Sequence, residues 1–222
     1  MQLIQATLQD SEAALRSYLQ TALDQNKKVL WLISGGSNIV ITADILRQLH
    51  GTQNLTIAQV DERYGPVGHP DSNWQQLLDS GTPLDGITLV PILQNPLGSM
   101  HQAAADYEAK LQKLLKTADI SIAQLGMGTD GHIAGILPGT ESVQAAGLVT
   151  SYQTEKFDRI TLTFNGLDQV QELWLFAYGQ DKKPQLEALQ NQDLSLSEQP
   201  AQYLKQHPRV VVYNDSIEGN NV

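Results

Sequence analysis

At 222 residues the chain is long enough to bury the core of one α/β domain and too short for two ordinary domains with a linker, so one domain over 1–222 is expected. Its 41% hydrophobic and 17% charged residues are those of a globular protein; no stretch nears the roughly 18 apolar residues of a membrane span, and the opening MQLIQ has neither the basic flank nor the apolar run of a signal peptide, so no membrane partner and a cytoplasmic location are expected. The absence of cysteine excludes disulfides, thiolate chemistry and cysteine-ligated metal, while a formal charge of -10 argues against a nucleic-acid partner and requires any anionic substrate to meet a local cluster of positive groups.

In chain order, Asp10 and Ser11 read as the cap of a helix whose apolar residues Leu15, Tyr18, Leu19, Ala22 and Leu23 recur at helical spacing. Residues 29–33 (VLWLI) form a continuous apolar run, as a strand covered on both faces does. The run stops at Ser34-Gly35-Gly36-Ser37-Asn38, after which Val40, Ile41, Ile45, Leu46 and Leu49 mark a helix. Strand, glycine turn and helix in that order bring backbone N–H groups and a helix N-terminus to one point, which suits phosphate. An ordinary capped turn reads equally well from this stretch alone.

Residues 55–60 form the next apolar run and end in Asp61-Glu62-Arg63; a polar loop continues through Asp71-Ser72-Asn73 to Trp74, and alone it reads most simply as solvated. Residues 87–92 predict another strand, and Ser99 caps a long helix bearing Ala103, Tyr107, Leu111, Leu114 and Leu115 on one face. The short run 120–125 then leads into LGMGTDGHIAGILPG at 125–139. A glycine that stops a buried strand puts Asp130 and His132 on a loop at that strand's carboxyl end, where open α/β sheets bind ligands. His132 is the best placed general base near neutral pH, since unperturbed imidazole titrates at about 6.5. Asp130 is placed to set its tautomer or to help orient substrate. Residues 126–131 also match G-x-G-x-x-G, but the match lies mid-chain, Pro138-Gly139 interrupts any helix after it, and no strand ending in an acid follows, so a dinucleotide is not expected.

Residues 140–158 read as irregular and polar. Residues 159–164 (RITLTF) predict a strand with Arg159 at its start, and 172–178 another, ending at Gly179-Gln180-Asp181-Lys182-Lys183-Pro184, where the proline suits a first helical turn. A short helix near 201–206 and a last strand at 210–213 complete the core, with 214–222 expected as a frayed tail. Alternating strands and helices predict an α/β fold, a three-layer sandwich around a mainly parallel sheet. The clusters at 34–37, 61–63, 126–132 and 179–183 each follow an inferred strand, so parallel strands would gather them on one rim. A phosphate cradle, a histidine and nearby arginine and lysine point to a phosphorylated small molecule. The five histidines lack ligand spacing such as H-x-x-x-H, so no metal is expected.

Six motifs stand in order: S-G-G-S at 34–37, D-E-R at 61–63 with Pro66, D-S-N at 71–73, L-G-M-G-x-D-G-H at 125–132 with Pro138-Gly139, R-I-T-L-T at 159–163 and G-x-x-K at 179–182. Together they cover most of the chain and resemble the family that holds 6-phosphogluconolactonases and glucosamine-6-phosphate deaminases, in its lactonase wording. The resemblance implies a Rossmann-like sheet with a few extra short strands, hydrolysis of a phosphorylated sugar lactone without a cofactor, and a monomer or weak homo-oligomer. It implies catalytic roles for His132, Asp130 and Arg63. Substrate and phosphate would be held by Ser34, Gly35, Gly36, Ser37, Asp61, Asn73, Gly128, Gly131, Arg159 and Lys182.

Some positions depart from that wording. Asn38-Ile39 follow Ser37 where lactonases continue T-P, Gly65 precedes Pro66 where they carry valine, and I-A-G-I-L-P replaces T-A-S-L-F-P after His132. Deaminases carry tyrosine at the place of Arg63 and a glutamate at the place of Leu137. A non-catalytic sugar-phosphate sensor is the rival of another class, disfavoured because His132, Asp130 and Arg63 are all present. One tension remains: Arg159 begins its strand, so it reaches the rim only if that strand is antiparallel or the arginine comes in from the preceding loop.

Overall fold

The computed structural model describes residues 1–94 and 98–218. Seven strands form one sheet: β1 (Gln2–Gln5), β2 (Val29–Ile33), β3 (Leu55–Gln59), β5 (Thr88–Val90), β6 (Ile120–Gly126), β9 (Glu172–Ala177) and β10 (Val210–Asn214). Their order is β1-β10-β9-β6-β2-β3-β5, and every pairing is parallel. Three more, β4 (Asp61–Arg63), β7 (Val149–Tyr152) and β8 (Arg159–Leu162), make a small antiparallel sheet in the order β4-β8-β7.

Alternation along the central strands sorts side chains into two cores. Val29, Trp31 and Ile33 of β2 face one way, with Leu15 and Leu19 of α1 (Leu8–Asp24), Ile41 and Ile45 of α2 (Asn38–Leu46) and Leu77 of α3 (Asn73–Asp79). Leu30 and Leu32 face the other, with Tyr107 and Leu111 of α4 (Met100–Thr117), Leu186 and Leu189 of α6 (Lys183–Asn191) and Ile160 and Leu162 of β8. A strand covered on both faces has no polar face to show, which is why 29–33 reads as unbroken apolar sequence. The expected three-layer α/β arrangement is therefore present.

Several boundaries differ from expectation, each for a local reason. α1 begins earlier: Thr7 caps it, its Oγ1 accepting from Asp10 N at 3.1 Å, while Asp10 and Ser11 lie inside the first turn. β1 escaped notice because an edge strand of four residues with one buried side chain carries almost no pattern. The apolar run at 55–60 is broken at Val60, whose N–H bonds Ile33 and whose carbonyl accepts from Leu162, so the chain passes there from the large sheet to the small one. The loop expected to run to Trp74 ends at Ser72, which caps α3 through Gln75 N. Within 140–158 lie a 3₁₀ turn, Glu141–Gln144, and β7. β8 stops at Leu162 because Thr163 turns its hydroxyl to Gly166 N and caps the short α5 (Phe164–Asp168). The tail is not frayed over 214–218: Asn214 Oδ1 accepts from Ser216 N and Ile217 N at 2.9 and 2.7 Å, and Ile217 is buried. Residues 219–222 of that expected tail lie outside the described residues.

One buried carboxylate fixes β4 to α3. Glu62 is 0% exposed. Its Oε1 accepts from the backbone N–H groups of Arg63 and Asn73, both at 2.7 Å. Its Oε2 accepts from Gln59 Nε2 at 2.9 Å, Ser72 Oγ at 2.8 Å and Trp74 N at 3.0 Å. The partial positive end of α3 supports the charge, and five donors replace the water that the carboxylate lost. Removing the acceptor strands buried N–H groups at about 1–3 kcal/mol each. Glu62→Ala is therefore expected to lower the unfolding free energy in urea by more than about 3 kcal/mol; a loss within about 0.5 kcal/mol, the usual range for a surface site, would refute the anchor.

Candidate active site

Because the central strands run in parallel, the carboxyl ends of β2, β6 and β9 open on the same rim, and a cavity of about 240 Å³ lies there. All four predicted clusters reach it: Ser34, Gly35, Gly36 and Ser37 after β2, Asp61 and Arg63 from β4, Gly128 and His132 after β6, and Lys182 after β9. Arg159 reaches it too, through an antiparallel strand. β8 runs against β4 with Arg159 directly opposite Arg63, so the start of one strand sits beside the end of the other. Asn73 at the head of α3 lines it as well; Asp130 and Gly131, also expected at the site, are not among the lining residues. Asn38, Phe176 and Tyr178, to which the sequence assigned no role at the site, also line the cavity. Phe176 and Tyr178 are two apart at the end of β9, and that spacing at a strand end facing the rim is the signal that would have found them.

His132 is seated by what its neighbours lack. A Cβ on Gly128 would come within 2.1 Å of His132 Nδ1 and 2.4 Å of Asp130 Oδ1, so only glycine lets the ring and its carboxylate lie against the backbone. Gly131 has φ +84°, and a Cβ there would strike Gln199 and Gln185. Backbone bonds from Gly128 N to His132 O (2.9 Å) and from Gly131 N to Gly128 O (3.0 Å) close the turn. Asp130 Oδ1 is 2.7 Å from His132 Nδ1 and also accepts from His132 N at 3.1 Å. A carboxylate only accepts, so Nδ1 carries the proton and Nε2 is left as the basic nitrogen of a ring that lines the cavity. Burial alone would raise the Asp130 carboxyl; its bonds to His132 outweigh that and bring it down to about 2, so it stays ionised near neutrality.

The remaining walls gather positive charge in a chain whose net charge is negative. Among the described residues the lining carries three cations, Arg63, Arg159 and Lys182, and one carboxylate, Asp61. Like charges directly opposite across a strand pair are unfavourable, and Arg63 and Arg159 are such a pair. Asp61 Oδ2 lies 3.5 Å from Arg159 Nη1. Burial pushes the Asp61 carboxyl above its ordinary value, against the pull of Arg159 and Arg63. Arg63 is held by a bond from Nη1 to Asp71 O at 2.8 Å and by the Phe157 ring 5.5 Å away. Arg63 Nε, Arg159 Nε and Asn73 Oδ1 are buried without a partner among the described residues. Asn73 Nδ2 donates to Asp61 O at 3.0 Å, which leaves Oδ1 toward Gly35, where a Cβ would overlap it. Buried polar atoms without partners at one cavity mark a place where a polar ligand supplies them.

A tautomer-fixed histidine beside a cationic cavity, at the carboxyl edge of a parallel sheet, defines an α/β enzyme for a small anionic substrate. The chain belongs to the glucosamine-6-phosphate isomerase/6-phosphogluconolactonase family, whose model matches residues 4–212. It is 31% identical over 186 residues to a 6-phosphogluconolactonase of Nostoc sp., covering 76% of this chain and 74% of that protein. It is 26% identical over 191 residues to that of Helicobacter pylori, covering 81% and 82%. The fold is shared with a 6-phosphogluconolactonase from Shewanella baltica, at a TM-score of 0.80 and 18% identity over 96% of each chain. It is shared likewise with one from Thermotoga maritima, at 0.77 and 22% over 96% of each.

The seat of His132 gives a direct test. Gly128→Ala is expected to break the 2.7 Å contact between Asp130 and His132 and, by displacing the ring, to lower turnover about 10²-fold. A crystal structure of the variant with that contact intact, together with an unchanged rate, would show that the glycine is not needed there.

Proposed function

We propose that this chain hydrolyses 6-phospho-D-glucono-1,5-lactone to 6-phospho-D-gluconate, the lactone-opening step of the oxidative pentose phosphate pathway. The observation that carries the reading is the Asp130–His132 pair beside a cavity lined by three cations. His132 Nε2 takes a proton from a water that attacks C1. Arg63 and backbone N–H groups of the glycine loop meet the oxyanion that forms. As the bond from C1 to the ring oxygen breaks, the protonated ring returns its proton to that oxygen, which becomes the C5 hydroxyl. The new carboxylic acid then ionises to solvent.

The turn at 34–37, Arg159 and Lys182 hold the phosphate, with charge-assisted bonds worth about 1.5–3 kcal/mol each. Asp61 and Asn73 are left for the sugar hydroxyls. No cofactor enters this scheme, since a lactone is already an activated ester. The proposed state is a monomer or weak homo-oligomer. No helix among the described residues is long and apolar enough to cross a membrane. A phosphorylated substrate stays in the compartment that makes it, so the cytoplasm is the proposed location.

The family's other reaction, on glucosamine 6-phosphate, calls for a carboxylate where this chain has Leu137, and a leucine cannot move a proton. Arg63 adds a fixed positive charge that opposes a nearby ammonium. His132→Ala is expected to lower kcat on the phosphorylated lactone by roughly 10²–10⁴, with KM nearly unchanged. Ammonia release from glucosamine 6-phosphate is expected to stay at background. Near-full kcat in the variant, or steady ammonia release that the variant abolishes, would overturn the proposal.

A further inference from the structure

Asn38 stands at the first position of α2, directly after the turn that the proposed function gives to phosphate. The residue is 2% exposed yet lines the cavity. A buried amide is useful as a donor only if it is turned the right way, and here the surroundings decide the turn. Gln124, from β6, places Nε2 3.2 Å from Asn38 O. A backbone carbonyl can only accept, so the atom of Gln124 at that place is its nitrogen. The same Nε2 lies 3.1 Å from the side-chain oxygen of Asn38. Gln124 Oε1 faces the Thr42 hydroxyl at 3.1 Å, which completes a consistent set. The Asn38 oxygen is thus committed to Gln124, and Nδ2 points the other way.

Nδ2 has no acceptor among the described residues, and it lies beside Gly126, another lining residue. A Cβ on Gly126 would come within 2.5 Å of Nδ2, so the glycine leaves room for the amide. The helix end itself is open: Ser37 makes no side-chain cap bond. An uncapped helix N-terminus and an unpartnered N–H donor thus belong to the same cavity wall, and both favour an anion.

We infer that Asn38 is a phosphate-binding residue of this chain, donating from Nδ2 to a phosphate oxygen of the substrate, with Gln124 as the positioning residue that fixes the direction of the amide. The inference rests on the reading that the cavity takes a phosphorylated substrate.

The test is Asn38→Asp, which keeps the shape and the oxygen facing Gln124 but puts an acceptor where the donor was. KM for the phosphorylated lactone and the competitive inhibition constant of inorganic phosphate are expected to rise together, by roughly 10- to 100-fold, while kcat falls far less. A packing role would instead lower kcat or the folded fraction and leave the phosphate inhibition constant of the folded enzyme in place, and that result overturns the inference. If inorganic phosphate does not compete in the unaltered enzyme, the phosphate reading of the cavity fails first, and this inference with it. Should the variant not fold, the unaltered chain still decides: the side-chain amide resonances of Asn38 are expected to shift as inorganic phosphate is added to saturation, and unmoved resonances overturn the inference.

Discussion

The site hangs on a three-residue strand that does two jobs at once. β4 presents alternate side chains to opposite sides, so Asp61 and Arg63 face the cavity while Glu62 faces away into α3. The five donors on the Glu62 carboxylate weld the head of α3, and with it Asn73, to the strand that carries Arg63. A strand of three residues has too few ladder bonds to be rigid alone. The buried charge makes up the difference, because its hydrogen bonds are strong where water is absent. Gln59 extends the anchor into the large sheet: its Nε2 donates to Glu62 and its Oε1 accepts from Ile92 N at 2.9 Å.

Electrostatics around that anchor run against the whole chain. A protein with ten more negative than positive formal charges concentrates arginine, arginine and lysine on one cavity and admits one carboxylate, itself raised by burial. Arg63 and Arg159 stand opposite each other across the β4–β8 pair, and each keeps a buried Nε without a partner among the described residues. An anion between two such residues would offset like charge and accept from those donors. The glycines serve the same end by absence. Gly35 makes room for Asn73, Gly126 for Asn38 and Gly128 for His132, so the backbone comes close enough to the cavity for N–H groups and buried amides to act.

Much of this was legible in the sequence, for identifiable reasons. Buried parallel strands are long apolar runs, and β2, β3, β6, β9 and β10 all announced themselves. Their glycine and charge punctuation fell at carboxyl ends, which is where an open parallel sheet binds, so the rim followed. What stayed hidden was set by contacts distant in the chain. β1 exists because β10 offers an edge. β4 looks like a charged loop because its pattern is three residues long. Arg159 could not be placed until β8 was seen to run antiparallel to β4. Asn38 was noticed only as a departure, since its meaning depends on Gln124, 86 residues away. Gly135, another departure, proved to be a packing requirement: a Cβ there would press on Thr161 at 2.9 Å and Asp61 at 3.2 Å. Gly65 likewise clears the ring of His69, whose Nε2 bonds Arg63 O at 2.9 Å.

The central claim is that one cavity holds a phosphate at the head of α2 and presents the reacting carbon to His132. A crystal structure with 6-phosphogluconate bound tests it most directly. The expected density places the phosphate against the turn at 34–37 within reach of Arg159 and Lys182, and the C1 carboxylate within hydrogen-bond distance of His132 Nε2 and beside Arg63. A ligand bound in the reverse sense, with its carboxylate at the head of α2 and its phosphate at His132, or one bound outside this cavity, would contradict it.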